Sequence, residues 1–312
     1  MGSGTSEISV SGIELPFLKR IGAVLADIKI AHTIFALPFA LLSAHLAFIY
    51  IGGYRISTLL LILLCMVTAR TAAMSFNRYL DRDIDIKNPR TRNRSIPGGR
   101  AKPSDALYVV IFCCVIFVIA CWILGPLPFW LSFVTIAFLL SYSAMKRLTI
   151  LTHLWLGLAL AISPTGAWIA ITGQWSWIPT ILSLSVMCWV AGFDIIYSLQ
   201  DIEFDRDHRV FSIPAKFGIV NSLRITRFLH LVSWLALLWF GMVAGIGIPW
   251  WIAVGLVGTL LVAEHAMVRP DDLSRVGIAF FTVNGVISIL LYISTLASSF
   301  LGLLNFPGGG PS

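Results

Sequence analysis

The stretch Ser57-Thr-Leu-Leu-Leu-Ile-Leu-Leu-Cys65-Met-Val-Thr-Ala-Arg70-Thr-Ala-Ala-Met-Ser-Phe76-Asn77-Arg-Tyr-Leu-Asp81-Arg-Asp83-Ile-Asp85 decides how the chain is read. Its first part, up to Phe76, holds about twenty predominantly apolar residues, enough to cross a bilayer as a helix. Its second part turns acidic. Asn77, Asp81 and Asp85 stand four apart, and at 100° per residue the set drifts only about 80°, so one helix face carries all three. Asp83 falls on the other side. The basic run Lys87, Arg90, Arg92, Arg94, Arg100, Lys102 follows. Carboxylates beside cations where an apolar helix reaches water suit a magnesium ion shared with a substrate phosphate. A solvated helix end that stops a transmembrane segment fits the same stretch.

Outward from it, the 312 residues are 58% hydrophobic and 12% charged, with mean hydropathy +0.88. Soluble domains carry about 25% charge, so the sequence predicts an all-α integral membrane protein. Nine spans are expected, near 28–50, 57–80, 105–124, 127–145, 150–172, 177–200, 223–245, 248–268 and 276–301. Of 22 Lys and Arg residues, only Arg55 falls in the first, third, fifth or seventh connection. The positive-inside rule then predicts a cytoplasmic N-terminus, an external C-terminus and cytoplasmic acidic stretches. The net charge of +7 is accounted for by this topology, and no nucleic-acid partner is expected. No obligate protein partner is evident; membrane lipids surround the chain. The five cysteines lie in apolar runs without a CxxC pair and read as buried thiols.

Segment 1–27 reads as a cytoplasmic leader. Its start, Met1-Gly-Ser-Gly-Thr-Ser6, meets the loose myristoylation pattern, although a flexible leader is the expected reading. Segment 28–301 reads as one transmembrane domain. Four spans separate its two long acidic connections, which suggests halves 28–145 and 150–268 plus a last helix 276–301, with 302–312 as a short external tail.

The second acidic set is Asp194-Ile-Ile-Tyr197-Ser-Leu-Gln-Asp201-Ile-Glu203-Phe-Asp205. Asp194, Asp201 and Asp205 share a helix face with Tyr197 to one side; Glu203 and Asp207 point elsewhere. Asp194 lies about two turns inside an apolar span, where an ionisable group is costly and usually functional. Two acidic faces on one side of the membrane can together hold one or two Mg²⁺ ions on a diphosphate, with Asn77 as a neutral ligand. Arg70, about 10 Å deeper than Asn77 on the same face, needs an anion: a substrate phosphate or a carboxylate such as Asp194. Tyr142 and Lys146 are one turn apart and can face one ligand, or serve as an interfacial aromatic and a topogenic lysine. Lys29 and His32 share a face at the start of span one. His45, His153, His230 and His265 show no clustering, so no histidine metal site is expected. Trp189, Phe193, Tyr197 and Tyr142 can offer π faces to a carbocation.

These residues resemble a known family. Asn77-x₃-Asp81-x₃-Asp85 resembles the first aspartate-rich motif of the UbiA superfamily of intramembrane prenyltransferases, and Asp194-x₆-Asp201-x₃-Asp205 the second. Tyr142-x₃-Lys146 looks like its tyrosine–lysine pair. Arg94-Ser-Ile-Pro-Gly-Gly-Arg100 and Ser212-Ile-Pro-Ala-Lys216-Phe-Gly are similar to the segments after each motif. The resemblance implies nine helices around a central cavity. It also implies Mg²⁺-dependent transfer of a polyprenyl group from its diphosphate to an aromatic acceptor. By carry-over, Asn77, Asp81, Asp85, Asp201 and Asp205 would hold Mg²⁺–diphosphate. Lys146, Arg70, Arg94 and Lys216 are the candidate diphosphate-binding cations, Asp194 would orient or deprotonate the acceptor, and Tyr142 and Tyr197 would face the acceptor or the cation.

Within the superfamily, the segments from Ile30 and from Phe193 look most like bacterial quinone-pathway members of the inner membrane, 4-hydroxybenzoate polyprenyltransferase-like. Some of these are thought to act on 1,4-dihydroxy-6-naphthoate. Ala31 stands where an acidic residue is expected in several relatives. The competing classes are a lipid-forming phosphotransferase, whose acidic residues are spaced differently in one helix, and a cation-coupled transporter. The transporter predicts mid-membrane carboxylates and broken helices, with Pro38 and Pro164 the main candidates for kinks.

Overall fold

The computed structural model describes residues 15–28 and 35–307. Its helices are α1 (Phe17–Ala26), α2 (Leu37–Tyr50), α3 (Ile56–Leu80), α4 (Arg82–Asp85), α5 (Pro103–Leu124), α6 (Pro126–Leu148), α7 (Thr152–Thr172), α8 (Trp177–Ser198), α9 (Ile202–Asp207), α10 (Ile213–Val243), α11 (Ile248–Met267), α12 (Val276–Ile278) and α13 (Asn284–Phe300).

 In this membrane protein the helices follow from the apolar runs, and among the described residues there is no strand, only an isolated bridge between Arg269 and Asp272. Among the described residues, eight helical segments are long and apolar enough to cross a bilayer: α3, α5, α6, α7, α8 with its continuation to Asp207, α10, α11, and the run Val276–Phe300.

The first expected span differs. The helix α2 has 14 residues, about 21 Å at 1.5 Å per residue, and does not begin at residue 28. Pro38 explains the start: its fixed φ and missing N–H suit a first turn. Upstream, part of the expected leader is the helix α1. Its Val24 is fully buried, and Arg20 Nε holds Asp105 Oδ2 at 2.8 Å. The myristoylation pattern at Met1–Ser6 lies outside the described residues, as do Lys29, Ala31 and His32.

The seventh expected span also starts earlier, at Ile213. Ser212 caps α10 by accepting the Ala215 N–H at 3.2 Å, with Pro214 in the first turn. Gly218 then breaks the helix with φ 75°, a backbone conformation open to glycine. Pro164 stays inside α7. Proline leaves the Leu160 carbonyl without its helical donor, and the Ser163 hydroxyl donates to it at 2.8 Å.

The helix α8 is the centre of the bundle: 67% of its apolar window is buried, against 17% for α6. It packs against α7 at Gly157, where a Cβ would come within 2.3 Å of the Met187 carbonyl oxygen. Leu182, Val186, Trp189, Val190 and Phe193 of α8 join Phe35, Phe39 and Phe280 in the main apolar cluster. All five cysteines are free thiols; Cys113, Cys121 and Cys188 are buried as expected, whereas Cys65 and Cys114 are only half-buried.

The histidines do cluster in one place. His230 Nδ1 lies 3.1 Å from His265 Nε2 and 3.6 Å from Glu264 Oε2, and Asn284 donates to Glu264 Oε1 at 3.0 Å. The pairing was invisible in sequence because α10 and α11 bring together residues 35 apart.

Candidate functional site

Both acidic sets stand where a long helix gives way to a short one. Asp81 ends α3 and Asp85 closes α4; Asp194 lies in α8, Asp201 ends a 3-10 turn and Asp205 lies in α9. Each break keeps the acidic residues on one side. Asn77, Asp81, Asp85, Asp194, Asp201 and Asp205 all line one cleft of about 200 Å³, with Tyr142, Lys146, Arg90, Arg94, His153 and Tyr197. That is smaller than the roughly 300–1,000 Å³ of drug-sized sites, and suits a polar head group rather than a long tail.

In the first set the carboxylates are buried and held by cations. Lys146 Nζ lies 2.7 Å from Asp81 Oδ2, and Asn77 Nδ2 donates to the same oxygen. Burial pushes the Asp81 carboxyl above its ordinary pKa, with Lys146 opposing the shift. Arg94 Nη1 reaches both Asp85 oxygens at 2.8 Å. Arg94 is fixed by its own loop, since the Ser95 N–H donates to Asp27 Oδ2 at 2.6 Å.

The second set is held mostly by loops. Arg90 grips Asp201 through Nε at 3.1 Å and through Nη2, and Asn88 Nδ2 donates to Oδ1 at 3.2 Å. Arg90 also lies over the Tyr197 ring, 5.4 Å from its centroid. The Ser212 hydroxyl donates to Asp205 Oδ2 at 2.8 Å. His153 Nδ1 lies 2.7 Å from Asp194 Oδ2. The loop after the first motif therefore reaches across to the second.

Such a cleft, carboxylates interleaved with cations at one end of a helical bundle, suits a phosphorylated ligand. The UbiA prenyltransferase family profile matches residues 34–304. The chain belongs to this family. It is a multi-pass membrane prenyltransferase.

Among its relatives is the 4-hydroxybenzoate octaprenyltransferase of Vibrio vulnificus (strain CMCP6), 28% identical over 232 residues, covering 74% of this chain and 81% of that one. The enzyme of the same name from Alcanivorax borkumensis is 30% identical over 226 residues, covering 70% and 75%. An apo UbiA homolog from Aeropyrum pernix K1 matches with TM-score 0.74 at 28% identity, covering 88% of this chain and 99% of that one. A UbiA homolog from Archaeoglobus fulgidus, solved bound to DMAPP and Mg²⁺, matches with TM-score 0.71 over 89% and 98%; at 16% identity it bears on the fold alone.

Not every expected residue of this prenyltransferase reaches the cleft. Lys216 is exposed on α10, 5.4 Å from the Phe217 ring centroid, and does not line the cleft. Arg70 is part-buried on α3 and does not line the cleft. Trp189 and Phe193 pack behind the cleft wall, with Trp189 Nε1 donating to Asn284 Oδ1 at 2.6 Å. Asp83 is exposed and paired with Arg147, and Glu203 and Asp207 are exposed, as their helix phase predicts.

The sequence reading gave no place in the cleft to Asn88, Arg90, His153 or Ser212, each of which holds one of its carboxylates. Arg90 stood in the basic run, but loop residues carry no periodicity from which a partner 111 positions away can be read.

The donor set fits Mg²⁺. Among the described residues no three His, Cys, Asp or Glu side chains converge into a ready cage. Mg²⁺ needs none, since it is bound through one or two carboxylates together with substrate phosphates. Asp81 Oδ1 is buried without a hydrogen-bond partner, an acceptor such an ion would satisfy.

Proposed function

We propose that this chain transfers a polyprenyl group from polyprenyl diphosphate to an aromatic quinone precursor, of the 4-hydroxybenzoate or 1,4-dihydroxy-6-naphthoate type, in ubiquinone or menaquinone biosynthesis. The observation that carries the reading is the meeting of both acidic sets with Lys146, Arg90 and Arg94 in one cleft. The relatives named 4-hydroxybenzoate octaprenyltransferase support the acceptor class.

Asn77, Asp81, Asp85, Asp201 and Asp205 would hold Mg²⁺, which when bound supplies Lewis-acid stabilisation of the charge on the departing diphosphate. Lys146, Arg90 and Arg94, now on carboxylates, can turn to phosphate oxygens without leaving the cleft. Tyr142 and Tyr197 present ring faces where an allylic cation would form. Asp194 accepts the proton that the acceptor loses. The charge distribution supports nine spans, two four-helix halves plus a last helix, with the N-terminus and the cleft on the cytoplasmic side of a bacterial inner membrane and the C-terminus outside.

A product assay tests the reading. Purified protein in liposomes receives radiolabelled polyprenyl diphosphate and either acceptor, with Mg²⁺ or EDTA. A prenylated aromatic product that needs Mg²⁺ is expected. Folded protein that yields no product with either acceptor would contradict the acceptor class and direct the search to a non-quinone acceptor.

A further inference from the structure

The Asp194 side chain is 22% exposed and faces the cleft, while His153 on α7 is 4% exposed behind it. The tautomer of His153 follows from its two neighbours. Its Nε2 accepts the backbone N–H of Ile213 at 3.4 Å. An amide N–H can only donate, so Nε2 carries the lone pair and the ring proton sits on Nδ1. That proton points at Asp194 Oδ2, 2.7 Å away. The other carboxylate oxygen, Oδ1, is left for a ligand.

The same turn that orients the imidazole also touches the metal set. Ile213 holds His153, and its neighbour Ser212 donates to Asp205 Oδ2 at 2.8 Å. The Phe211 N–H fastens this turn to the carbonyl of Lys146 at 2.8 Å. One short segment therefore spaces Asp194 relative to Asp205 and Lys146.

We propose that His153 is a positioning residue for the acceptor half of the reaction: its Nδ1–H fixes the Asp194 carboxylate so that Oδ1 receives the acceptor's proton. This rests on the reading of an aromatic acceptor given above. In the step, the bond between the prenyl C1 and the diphosphate oxygen breaks, and its electron pair leaves with the diphosphate. A ring carbon of the acceptor bonds to C1. The hydrogen on that ring carbon leaves as a proton to Asp194 Oδ1, and its bonding electrons restore the aromatic ring. Asp194 ends as the neutral acid and gives the proton to water when product leaves. His153 keeps its own proton throughout.

The test compares wild type, His153→Ala, His153→Asn and Asp194→Asn in steady-state kinetics with both substrates varied. Asparagine places an N–H near the position of Nδ1–H, so it keeps the donor that alanine removes. For His153→Ala, kcat/KM for the acceptor is expected to fall about 10²-fold, with KM for prenyl diphosphate within about twofold. His153→Asn is expected to recover at least about tenfold of the loss. Unchanged acceptor kinetics in His153→Ala would overturn the proposal. So would an equal loss for both substrates with no recovery in His153→Asn, the pattern of a merely structural role. If His153→Ala does not fold, His153→Asn decides: acceptor kinetics within about tenfold of wild type support the proposal, and a loss equal to that of Asp194→Asn overturns it. A wild type that prenylates no aromatic acceptor would sink the functional reading itself and this inference with it, an outcome seen before any variant is measured.

Discussion

The two acidic sets differ in how they are held. Side chains of the first are closed off, with Asp81 at 1% and Asp85 at 4% exposure, and each is clamped by a cation. Two of the second stay more open, with Asp201 at 17% and Asp194 at 22%, held by a loop arginine and a histidine, while Asp205 is buried and held by Ser212. A buried carboxylate left alone is poorly solvated, so the first pairs open only when a charged ligand takes over both partners. Half-exposed pairs exchange at little cost. The first set is thus the built floor of the cleft, and the second is the side at which ligands enter.

The largest expected effect ignores this difference. Asp81→Ala and Asp201→Ala should each lower turnover by about 10³-fold or more, since both sets are needed for the charge on the leaving diphosphate. Near-normal product formation in either would break the view that the sets act as one site. EDTA should abolish activity in the wild type and added Mg²⁺ restore it, read by the same product assay.

Stability should separate the sets. Asp81→Ala leaves Lys146 without its partner and should cost about 2 kcal/mol or more, moderated because Lys146 is 25% exposed. Asp201→Ala should cost less than about 1 kcal/mol, because Arg90 is 38% exposed. Thermal unfolding in detergent checks the order, and equal losses would erase the contrast between floor and entrance. Arg90→Ala should raise KM for prenyl diphosphate about tenfold, the worth of one charge-assisted hydrogen bond, with a smaller effect on kcat. Lys216→Ala, outside the cleft, should change kcat/KM by less than about twofold; a larger loss in steady-state kinetics would bring the α10 N-terminus into the site.

The same contrast marks what could be read from the sequence. Helix phase placed Asn77, Asp81, Asp85, Asp201 and Asp205 toward one cleft and Asp83, Glu203 and Asp207 away from it, because a 3.6-residue period survives the short breaks between helices. The apolar runs marked the long helices for the same reason. What escaped lies where no period operates. Arg90 and Asn88 act from a loop, and His153 meets Asp194 only because α7 and α8 pack closely at Gly157. The start of α2 at Pro38 and the helix α1 depend on local backbone chemistry and on the Arg20–Asp105 pair rather than on hydropathy.

The central claim is that two acidic sets of unlike burial form one Mg²⁺-dependent diphosphate site. Calorimetric titration with an unreactive prenyl thiolodiphosphate, with and without Mg²⁺, tests it most directly in the wild type, Asp81→Asn and Asp201→Asn. Mg²⁺-dependent binding in the wild type, weakened to a similar degree in both variants, is the predicted result. Binding that survives intact in either variant, or that is as tight without Mg²⁺, would contradict the account.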